Sequence, residues 1–344
     1  MTVRLMVVHD ESILIEPLFG YSKYSDRPYR PTTREILAEW MDCVNFLKHP
    51  CRTFIALNFA FHVSTFIVAL VFLLNFASVT NLLFVVVTAC FLGTLYNTVW
   101  YHRYCSHASF QVNRVLYARI FLWLNPIFFR EEYYAIPHLI HHQRTERAGD
   151  PYGPHLGWLG SYLAVESSQK LNTNMSEKAY QSVVRSVSHI GFPINSYLAF
   201  RRTGGIETTG YYLGRVFFAQ IWWCIFFFTL GGVDLVLAWY TGIFVQTFLV
   251  REFNWRGHGG NYRFEKKPGW EFDKKSRALN QRFYGFIVAE WHDNHHKYPM
   301  SANNGFLPGQ IDLAFQFIRF LSLVGVVKSY FDAKSIFLKD VHSP

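Results

Sequence analysis

The chain has 344 residues, of which 51% are hydrophobic, 19% are aromatic and only 17% are charged. Soluble domains usually carry about 25% charged residues, so this composition excludes a chain that faces water on all sides. The mean hydropathy is only +0.08, which is low for a protein buried entirely in lipid. We therefore predict a membrane protein with a large part in water, and no nucleic-acid partner.

Charged residues delimit two apolar hairpins. No Asp, Glu, Lys or Arg lies between Arg52 and Arg103. As a helix, that stretch would be about 75 Å long, enough for two crossings of a roughly 30 Å hydrocarbon core. It predicts helices over 53–76 and 81–101. Between Arg215 and Arg251 only Asp234 is charged, which predicts a second pair of helices over 213–230 and 234–251.

The distribution of the 33 Lys and Arg residues predicts the orientation, because none of them lies in either hairpin turn. Lys and Arg are retained on the cytoplasmic side, so both termini are expected there. The predicted fold class is all-α: an integral membrane protein with four transmembrane helices in two hairpins and a helical cytoplasmic cap. We expect one domain over 1–344, divided into a cytoplasmic N-terminal segment (1–52), hairpin 1 (53–101), a cytoplasmic region (102–212), hairpin 2 (213–251) and a final cytoplasmic region (252–344).

Two shorter apolar stretches do not fit a membrane crossing. Residues 120–129 contain Asn125 and Pro126 and are too few to span, so an interfacial or re-entrant segment is expected. Residues 311–327 include Asp312 and Arg319, which favours an amphipathic helix on the cap. The five cysteines show no C-x-x-C spacing, so neither a disulfide framework nor a thiolate metal site is expected.

Histidines indicate the chemistry, because nine of the fifteen form four tight groups beside predicted membrane ends. Residues three and four apart share one face of a helix, so each trio spaced as H-x-x-H-H forms a chelating surface. Adjacent histidines diverge by about 100°, which predicts that they serve different metals. Residues five apart diverge by about 140°, so the first pair converges only if the helix unwinds or if its members serve different metals. The groups are His102 and His107; His138, His141 and His142; His258; and His292, His295 and His296.

The number of histidines favours two metal ions. One tetrahedral zinc takes four ligands, whereas nine imidazoles suit two metals with four or five nitrogens each. Imidazole suits zinc, copper, iron or nickel, so the residues alone leave the element open. His62 lies within the first predicted membrane helix, where we expect a neutral imidazole bonded to a neighbouring helix.

At these motifs the chain resembles the membrane-bound fatty-acyl desaturases. The three histidine boxes of that family match His102–His107, His138–His142 and His292–His296, in the family's order. The stretch from Asn254 to His258 is similar to the family's N-x-x-x-H element. The resemblance covers about residues 50–330. It implies that the nine histidines ligate two iron ions and that Asn254 holds a water at one of them.

The resemblance also implies the reaction and its partners. Dioxygen would be the co-substrate, and a long fatty-acyl chain in an apolar tunnel within the bilayer would lose two hydrogens. Electrons would come from an external donor of the ferredoxin or cytochrome b5 type with its reductase. A basic surface is expected to steer that acidic donor; it includes Lys266, Lys267, Lys274, Lys275, Arg277 and Arg282.

Carboxylates near the boxes are expected to orient the ligating imidazoles by accepting their second N–H. Asp150 and Asp312 are favoured because they also match the family pattern. Two departures concern the substrate's headgroup and the source: Leu139 replaces an arginine found in many acyl-CoA desaturases, and residues 129–134 look more like bacterial members. A bacterial inner membrane is therefore the favoured location, and the endoplasmic reticulum if the source is eukaryotic. The other carboxylates considered are Glu131, Glu132, Glu290 and Asp293.

Two other functions stay open from the sequence. A di-iron fatty-acid or alkane hydroxylase would use the same histidines, because the same oxidising chemistry can deliver a hydroxyl group. A non-enzymatic metal transporter is less favoured, because it predicts ionisable residues along the membrane helices. Between the flanking charges only Asp234 and His62 are found there.

Overall fold

The computed structural model describes residues 13–15, 29–145, 147, 149–258 and 291–342, and this part of the chain is mostly helical. The α-helices are α1 (Thr33–Val44), α2 (Thr53–Asn75), α3 (Val79–Phe91), α4 (Val115–Leu124), α5 (Glu131–Arg144), α6 (Gly157–Tyr162), α7 (Ala164–Ser167), α8 (Glu177–Val187), α9 (Tyr197–Thr203), α10 (Thr209–Arg256), α11 (His292–Lys297), α12 (Leu313–Leu323) and α13 (Lys334–His342). Short 3₁₀ turns occupy Pro50–Arg52, Pro154–Leu156 and Ser188–Ile190, and a π-helix occupies Leu92–Ser106.

Among the described residues, three helical segments are long and apolar enough to cross a membrane: Pro50–Asn75, Val79–Ser106 and Thr209–Arg256. The first two begin and end close to the predicted hairpin 1. Ser78 caps α3 by accepting a hydrogen bond from the backbone N–H of Asn81. That cap satisfies a free helix N–H and fixes the turn between the two helices.

The third segment, α10, is 48 residues long but is broken in the middle. Gly231 and Gly232 have non-helical backbone angles, and Gly232 adopts φ 65° and ψ −155°, a conformation that is essentially restricted to glycine. The break lies at the turn predicted between 230 and 234. Beyond it, Gly242 packs against α3 so closely that a Cβ there would lie 2.4 Å from Thr88 Cγ2. Small residues permit such close approach of helices in membranes.

The π-helix is a departure from the regular α-helix expected up to residue 101. In a π-helix each turn is closed by a hydrogen bond between residues five apart, so residues with that spacing lie one above the other. The backbone N–H of His107 bonds the carbonyl of His102 at 3.2 Å, and the hydroxyls of Thr98 and Ser106 bond carbonyls five residues back. All but two residues of the segment are buried.

Outside the long helices, the described part of the chain agrees with the all-α prediction except for one small antiparallel sheet. Its two strands are β1 (Phe110–Val112) and β2 (Val327–Tyr330), with Phe110 opposite Tyr330. The sheet joins the segment after the π-helix to the segment after α12. The stretch predicted to be interfacial contributes to α4, and the predicted amphipathic helix is α12, shorter than the 311–327 expected; both are too short to span a membrane.

Buried ion pairs connect these elements where the long helices end. In α10, Arg215 pairs with Glu131 of α5 and with Glu207 at 2.7 Å, and all three side chains are buried. Burial raises the pKa of Glu207 to about 7, with Arg215 opposing the shift. Arg251, near the end of α10, binds Glu166 of α7 at 2.6 Å. Breaking such a buried pair would leave an uncompensated charge, so these pairs fix the position of α10 against α5 and α7.

Candidate metal centre and adjoining cavity

Five histidines form the first cluster. Their candidate ligand atoms lie within 4.8 Å of one another, and four of the five side chains are buried. The π-helix supplies one, the residue directly after it supplies one, α5 supplies two and α11 supplies one. The members are His102, His107, His138, His142 and His295.

Four further histidines form the second cluster, with the same limit of 4.8 Å between ligand atoms, and all are buried. One comes from α5, one follows α10 and two come from α11. The members are His141, His258, His292 and His296. The structure therefore brings together all nine histidines singled out in the sequence, and divides them into sets of five and four.

Adjacent histidines divide between the two clusters. His141 belongs to the second and His142 to the first, while His295 belongs to the first and His296 to the second. This is the arrangement expected from their divergence of about 100° on a helix. The clusters adjoin, because the rings of His142 and His296 stack with centroids 4.3 Å apart.

The ring nitrogens have the geometry of donors that converge on a metal. In the first cluster the Nε2 atom of His295 lies 2.9 Å from Nε2 of both His102 and His142, and Nε2 of His138 lies 2.9 Å from Nε2 of His107. Two imidazole nitrogens bound at right angles, at about 2.1 Å from one ion, would be about 3 Å apart. The donor set therefore fits a metal ion in each cluster.

The protonation of these rings also suits a metal site. Burial, together with the neighbouring imidazoles, lowers the pKa of His138, His142, His295 and His296 well below the ordinary value for histidine. The pKa of His107 is lowered to about 3, first by burial and then by Arg103. These imidazoles are neutral at neutral pH, which is the form that ligates metals.

Asp150 orients one ring of the second cluster. The Nδ1–H of His141 donates to Oδ1 of Asp150 at 2.7 Å, and both side chains are fully buried. A carboxylate only accepts, so this bond assigns the proton to Nδ1 and leaves the lone pair on Nε2. That Nε2 atom is buried and has no hydrogen-bond partner. A buried nitrogen with a free lone pair inside a cluster of imidazoles is suited to ligate a metal ion.

Tyr152 contacts both clusters and was not identified from the sequence. Its hydroxyl lies 2.6 Å from Nδ1 of His138, and its ring stacks on His141 with centroids 4.3 Å apart. Its backbone N–H donates to Asp150 Oδ1. The only signal in the sequence was its position two residues after Asp150, which does not reveal the contact with His138.

Asp312 does not contact a histidine in the hydrogen bonds and ion pairs described, although we expected it to orient one. Its carboxylate binds Arg103 at 2.7 Å, accepts the backbone N–H of Asn304 and caps α12 by accepting from Phe315 N–H. Because Arg103 follows His102 directly, Asp312 holds the first box through the arginine. Asp312 binds Arg103 and not a histidine because of where it lies. It is the N-cap of α12, and Arg103 is the residue of the π-helix that faces it.

Two other carboxylates considered from the sequence also pair with arginines. Glu131 accepts from Arg215, and Glu132 accepts from Arg130 at 3.1 Å. Asp293 is buried beside the second cluster. Glu290 lies outside the described residues, and so does the predicted basic surface of Lys266, Lys267, Lys274, Lys275, Arg277 and Arg282.

A cavity with about 1050 Å³ of empty space, including its open mouth, runs beside both clusters. His102 and His138 of the first cluster, and His258 and His292 of the second, form part of its wall. Much of the remaining wall is aromatic, from Phe61, Phe128, Phe129, Tyr101, Tyr134 and Phe253. Cavities with largely apolar walls and a few polar groups are typical sites for small molecules.

Two residues singled out in the sequence also line this cavity. Asn254 lies beside His258 and His292 on the wall, and its Nδ2–H donates to the carbonyl of Ser161 at 3.4 Å. His62 contacts the hydroxyl of Tyr162 in α6 at 2.6 Å, so it is bonded to a neighbouring helix as expected.

Comparison with known families identifies one match over most of the chain. The sequence model of the family described as fatty acid desaturase matches residues 80–304, which is more than half of the 344 residues. The matched region contains all nine clustered histidines.

Curated relatives carry similar descriptions. The chain is 25% identical over 252 residues to an sn-1 stearoyl-lipid 9-desaturase from Synechocystis sp., covering 67% of this chain and 65% of that protein. It is 27% identical over 239 residues to Delta-9 acyl-lipid desaturase 2 from Arabidopsis thaliana, covering 68% and 70%. It is 24% identical over 239 residues to an acyl-CoA C20 Delta5-desaturase from Anemone leveillei, covering 68% of each. The match thus spans just under two thirds of the Synechocystis protein.

Proposed function

We propose, because the chain belongs to the fatty acid desaturase family, that it is a membrane-bound oxidoreductase. It would introduce a double bond into a long fatty-acyl chain, with dioxygen as the co-substrate. The observation that carries the proposal is the convergence of nine imidazoles in two adjoining clusters beside an apolar cavity. An unactivated methylene C–H bond offers no acid or base handle, so its oxidation requires a cofactor, and the clustered imidazoles are suited to hold a metal.

The proposed cofactor is a pair of iron ions, one in each cluster. The first would be held by the five imidazoles of the first cluster and the second by the four of the second cluster, with Asn254 holding a water. When bound, the irons supply the activation of dioxygen. The protein keeps the ligating nitrogens neutral by burial, and Asp150 and Tyr152 keep His141 and His138 in orientation.

The substrate would lie in the cavity, with its acyl chain against the aromatic wall. Because His102, His138, His258 and His292 form part of the wall, both clusters would adjoin an acyl chain in the cavity. The apolar wall excludes bulk water from the reacting carbons, which protects an oxidising centre from side reactions. Acyl-lipid and acyl-CoA desaturases both occur among the relatives, so we propose a fatty-acyl substrate with the carrier left to experiment.

We further propose four membrane crossings rather than three, with α10 reversing at Gly231 and Gly232. A continuous helix of 48 residues would be about 72 Å long, more than twice the hydrocarbon core. Both termini and the clusters would be cytoplasmic, within a single membrane domain, in a bacterial inner membrane. Reducing equivalents would come from an external ferredoxin or cytochrome b5 with its reductase.

Product analysis tests the proposed reaction. Cells that express the chain, with oxygen and a compatible donor, are expected to accumulate fatty acids lighter by two hydrogens, detected by mass spectrometry of derivatised lipids. The purified protein is expected to contain two irons per chain. His141→Ala should abolish the product and lower the iron content, because it removes one ligand of the second cluster.

His49→Ala is the matched control, since His49 lies outside both clusters and pairs with Asp42; it should keep full activity. A product heavier by one oxygen would favour the hydroxylase, which would use the same clusters. Unchanged lipids together with transport of metal would favour a transporter. An unchanged lipid profile in cells whose protein carries its iron would contradict the proposed function.

A further inference from the structure

A buried lysine and a buried cysteine meet away from the histidine clusters. Cys43 is the penultimate residue of α1, and Lys170 follows α7, 127 residues later in the chain. Cys43 is fully buried and Lys170 is 2% exposed. A lysine is almost never this buried unless it is paired, so the contact needs an explanation.

The separation between the two side chains is unusually small. The Nζ atom of Lys170 lies 2.5 Å from Sγ of Cys43. Hydrogen bonds from N–H to oxygen are about 2.7–3.2 Å long, and sulfur is larger than oxygen. The two atoms are therefore closer than a hydrogen bond to sulfur allows and further apart than a direct bond between them. One atom placed between them would fit this separation.

Glu39 completes the group and offers a proton acceptor. Its Oε1 lies 3.2 Å from Lys170 Nζ and 3.5 Å from Cys43 Sγ. Burial raises the pKa of Cys43 to about 11, although Lys170 opposes the shift. None of the five cysteines is in a disulfide.

We propose that Cys43 and Lys170 form a covalent bridge through one oxygen atom when the protein is exposed to dioxygen. The ammonium of Lys170 and the thiol of Cys43 react with one dioxygen to give N–O–S, one water and one proton, which passes to Glu39. Nitrogen and sulfur each lose two electrons, and the dioxygen gains all four. One of its oxygens forms the bridge and the other leaves as water.

The bridge would connect α1 to the segment that borders the proposed substrate cavity. Gln169, directly before Lys170, lines that cavity, and Glu166 of α7 holds Arg251 on its wall. A covalent link at residue 170 would therefore fix the cavity wall to α1. The site does not depend on iron or on the proposed reaction, so its test stands independently of them.

Mass spectrometry of the whole protein tests the proposal. The full chain in detergent is divided into one sample kept without oxygen and one exposed to air, and both are digested without reductant. We expect a linked pair of peptides containing Cys43 and Lys170 in the air-exposed sample, heavier than the two free peptides by one oxygen and lighter by two hydrogens. The instrument must resolve this change from a methylation, which has nearly the same mass.

Reductant and variants provide the controls. Dithiothreitol should return both peptides to their unlinked masses, and Cys90 and Cys224 in the same digest should remain unlinked. Cys43→Ser and Lys170→Arg should each abolish the linked pair, since arginine keeps the positive charge but has no amine at that position. If a variant does not fold, the comparison of oxygen-free and air-exposed wild-type protein is sufficient to test for the bridge.

The proposal is wrong if air-exposed wild-type protein contains only the two free peptides. It is also wrong if Cys43 is oxidised to sulfinic or sulfonic acid without a link. A linked pair that has lost two hydrogens without gaining oxygen would contradict the oxygen bridge and indicate a direct S–N bond.

Discussion

At the scale of single residues, the orientation of the imidazoles depends on groups that contact the clusters without belonging to them. Asp150 fixes the tautomer of His141, and Tyr152 contacts His138 and stacks on His141. Partners of this kind are nearly as important as the ligands, because they set the basicity and the direction of the ring.

Tyr152→Phe tests the contact with His138. The variant loses the hydroxyl at 2.6 Å from Nδ1 but keeps the ring that stacks on His141. We expect activity or iron affinity to fall by about 10- to 100-fold, as is usual for such partners. Turnover and iron content are the measurements. Tyr197→Phe is the control, since its hydroxyl donates only to the backbone carbonyl of Met175; an equal loss in both variants would contradict a specific role for Tyr152.

Asp150 and Asp312 should give opposite results when each is changed to asparagine. Asp150→Asn weakens the acceptor of His141 Nδ1–H, so iron affinity should fall by about 10- to 100-fold with a small change in melting temperature. Asp312→Asn breaks a buried pair with Arg103, so unfolding should become easier by about 3–5 kcal/mol. Chelator titration and thermal unfolding separate the two effects. If Asp312→Asn lost iron affinity without being destabilised, the result would support the prediction from sequence that Asp312 contacts a histidine directly.

At the scale of the elements, the two irregular helices matter most. A regular α-helix would place His102 and His107 about 140° apart, whereas the π-helix and the residue after it bring them into one cluster. The sequence leaves open whether the helix unwinds or whether the pair serves two metals. The spacing of five residues could not decide between these two possibilities, because the angle between the two side chains can be calculated only when the type of helix is known.

The break in α10 predicts opposite effects for two glycine substitutions. Gly232→Ala should destabilise the protein by about 1–3 kcal/mol, because Gly232 has backbone angles that other residues avoid, although a Cβ there would meet nothing within 4 Å. Gly214→Ala should stabilise it by about 0.5–1 kcal/mol, because Gly214 is helical and also has open space. Thermal unfolding in detergent measures both. If Gly232→Ala did not change the stability, the turn would not require a positive φ at this position.

At the scale of the whole molecule, the clusters require segments far apart in the chain to meet. The nine histidines come from the π-helix and the residue after it, from α5, from the residues after α10 and from α11. The pair Arg215–Glu131 connects α10 to α5, whereas Arg251–Glu166 connects α10 to α7 and Arg103–Asp312 connects the π-helix to the start of α12. We infer that these pairs position the π-helix, α5 and α10 before any metal is bound.

Thiol labelling tests the proposed topology of four crossings. Val79→Cys and Val233→Cys lie at the two proposed turns and are more than half exposed, and Lys178→Cys lies in α8 outside the long helices. A maleimide that cannot cross membranes should label the first two from one side and Lys178→Cys from the other, with wild-type protein as the blank. Labelling of Val233→Cys from the same side as Lys178→Cys would contradict a reversal in α10.

The sequence by itself determined the apolar helices, the nine histidines and the division of adjacent histidines between two faces. Those features are local. The length of an uncharged stretch predicts an apolar helix, and the spacing of histidines along one helix determines which face each of them occupies. The tertiary structure alone decided that His102 and His107 share a cluster, that Asp312 faces Arg103, that Tyr152 contacts His138 and that Lys170 meets Cys43. These contacts depend on helix type and on packing between segments up to 209 residues apart, and no local pattern in the sequence encodes them.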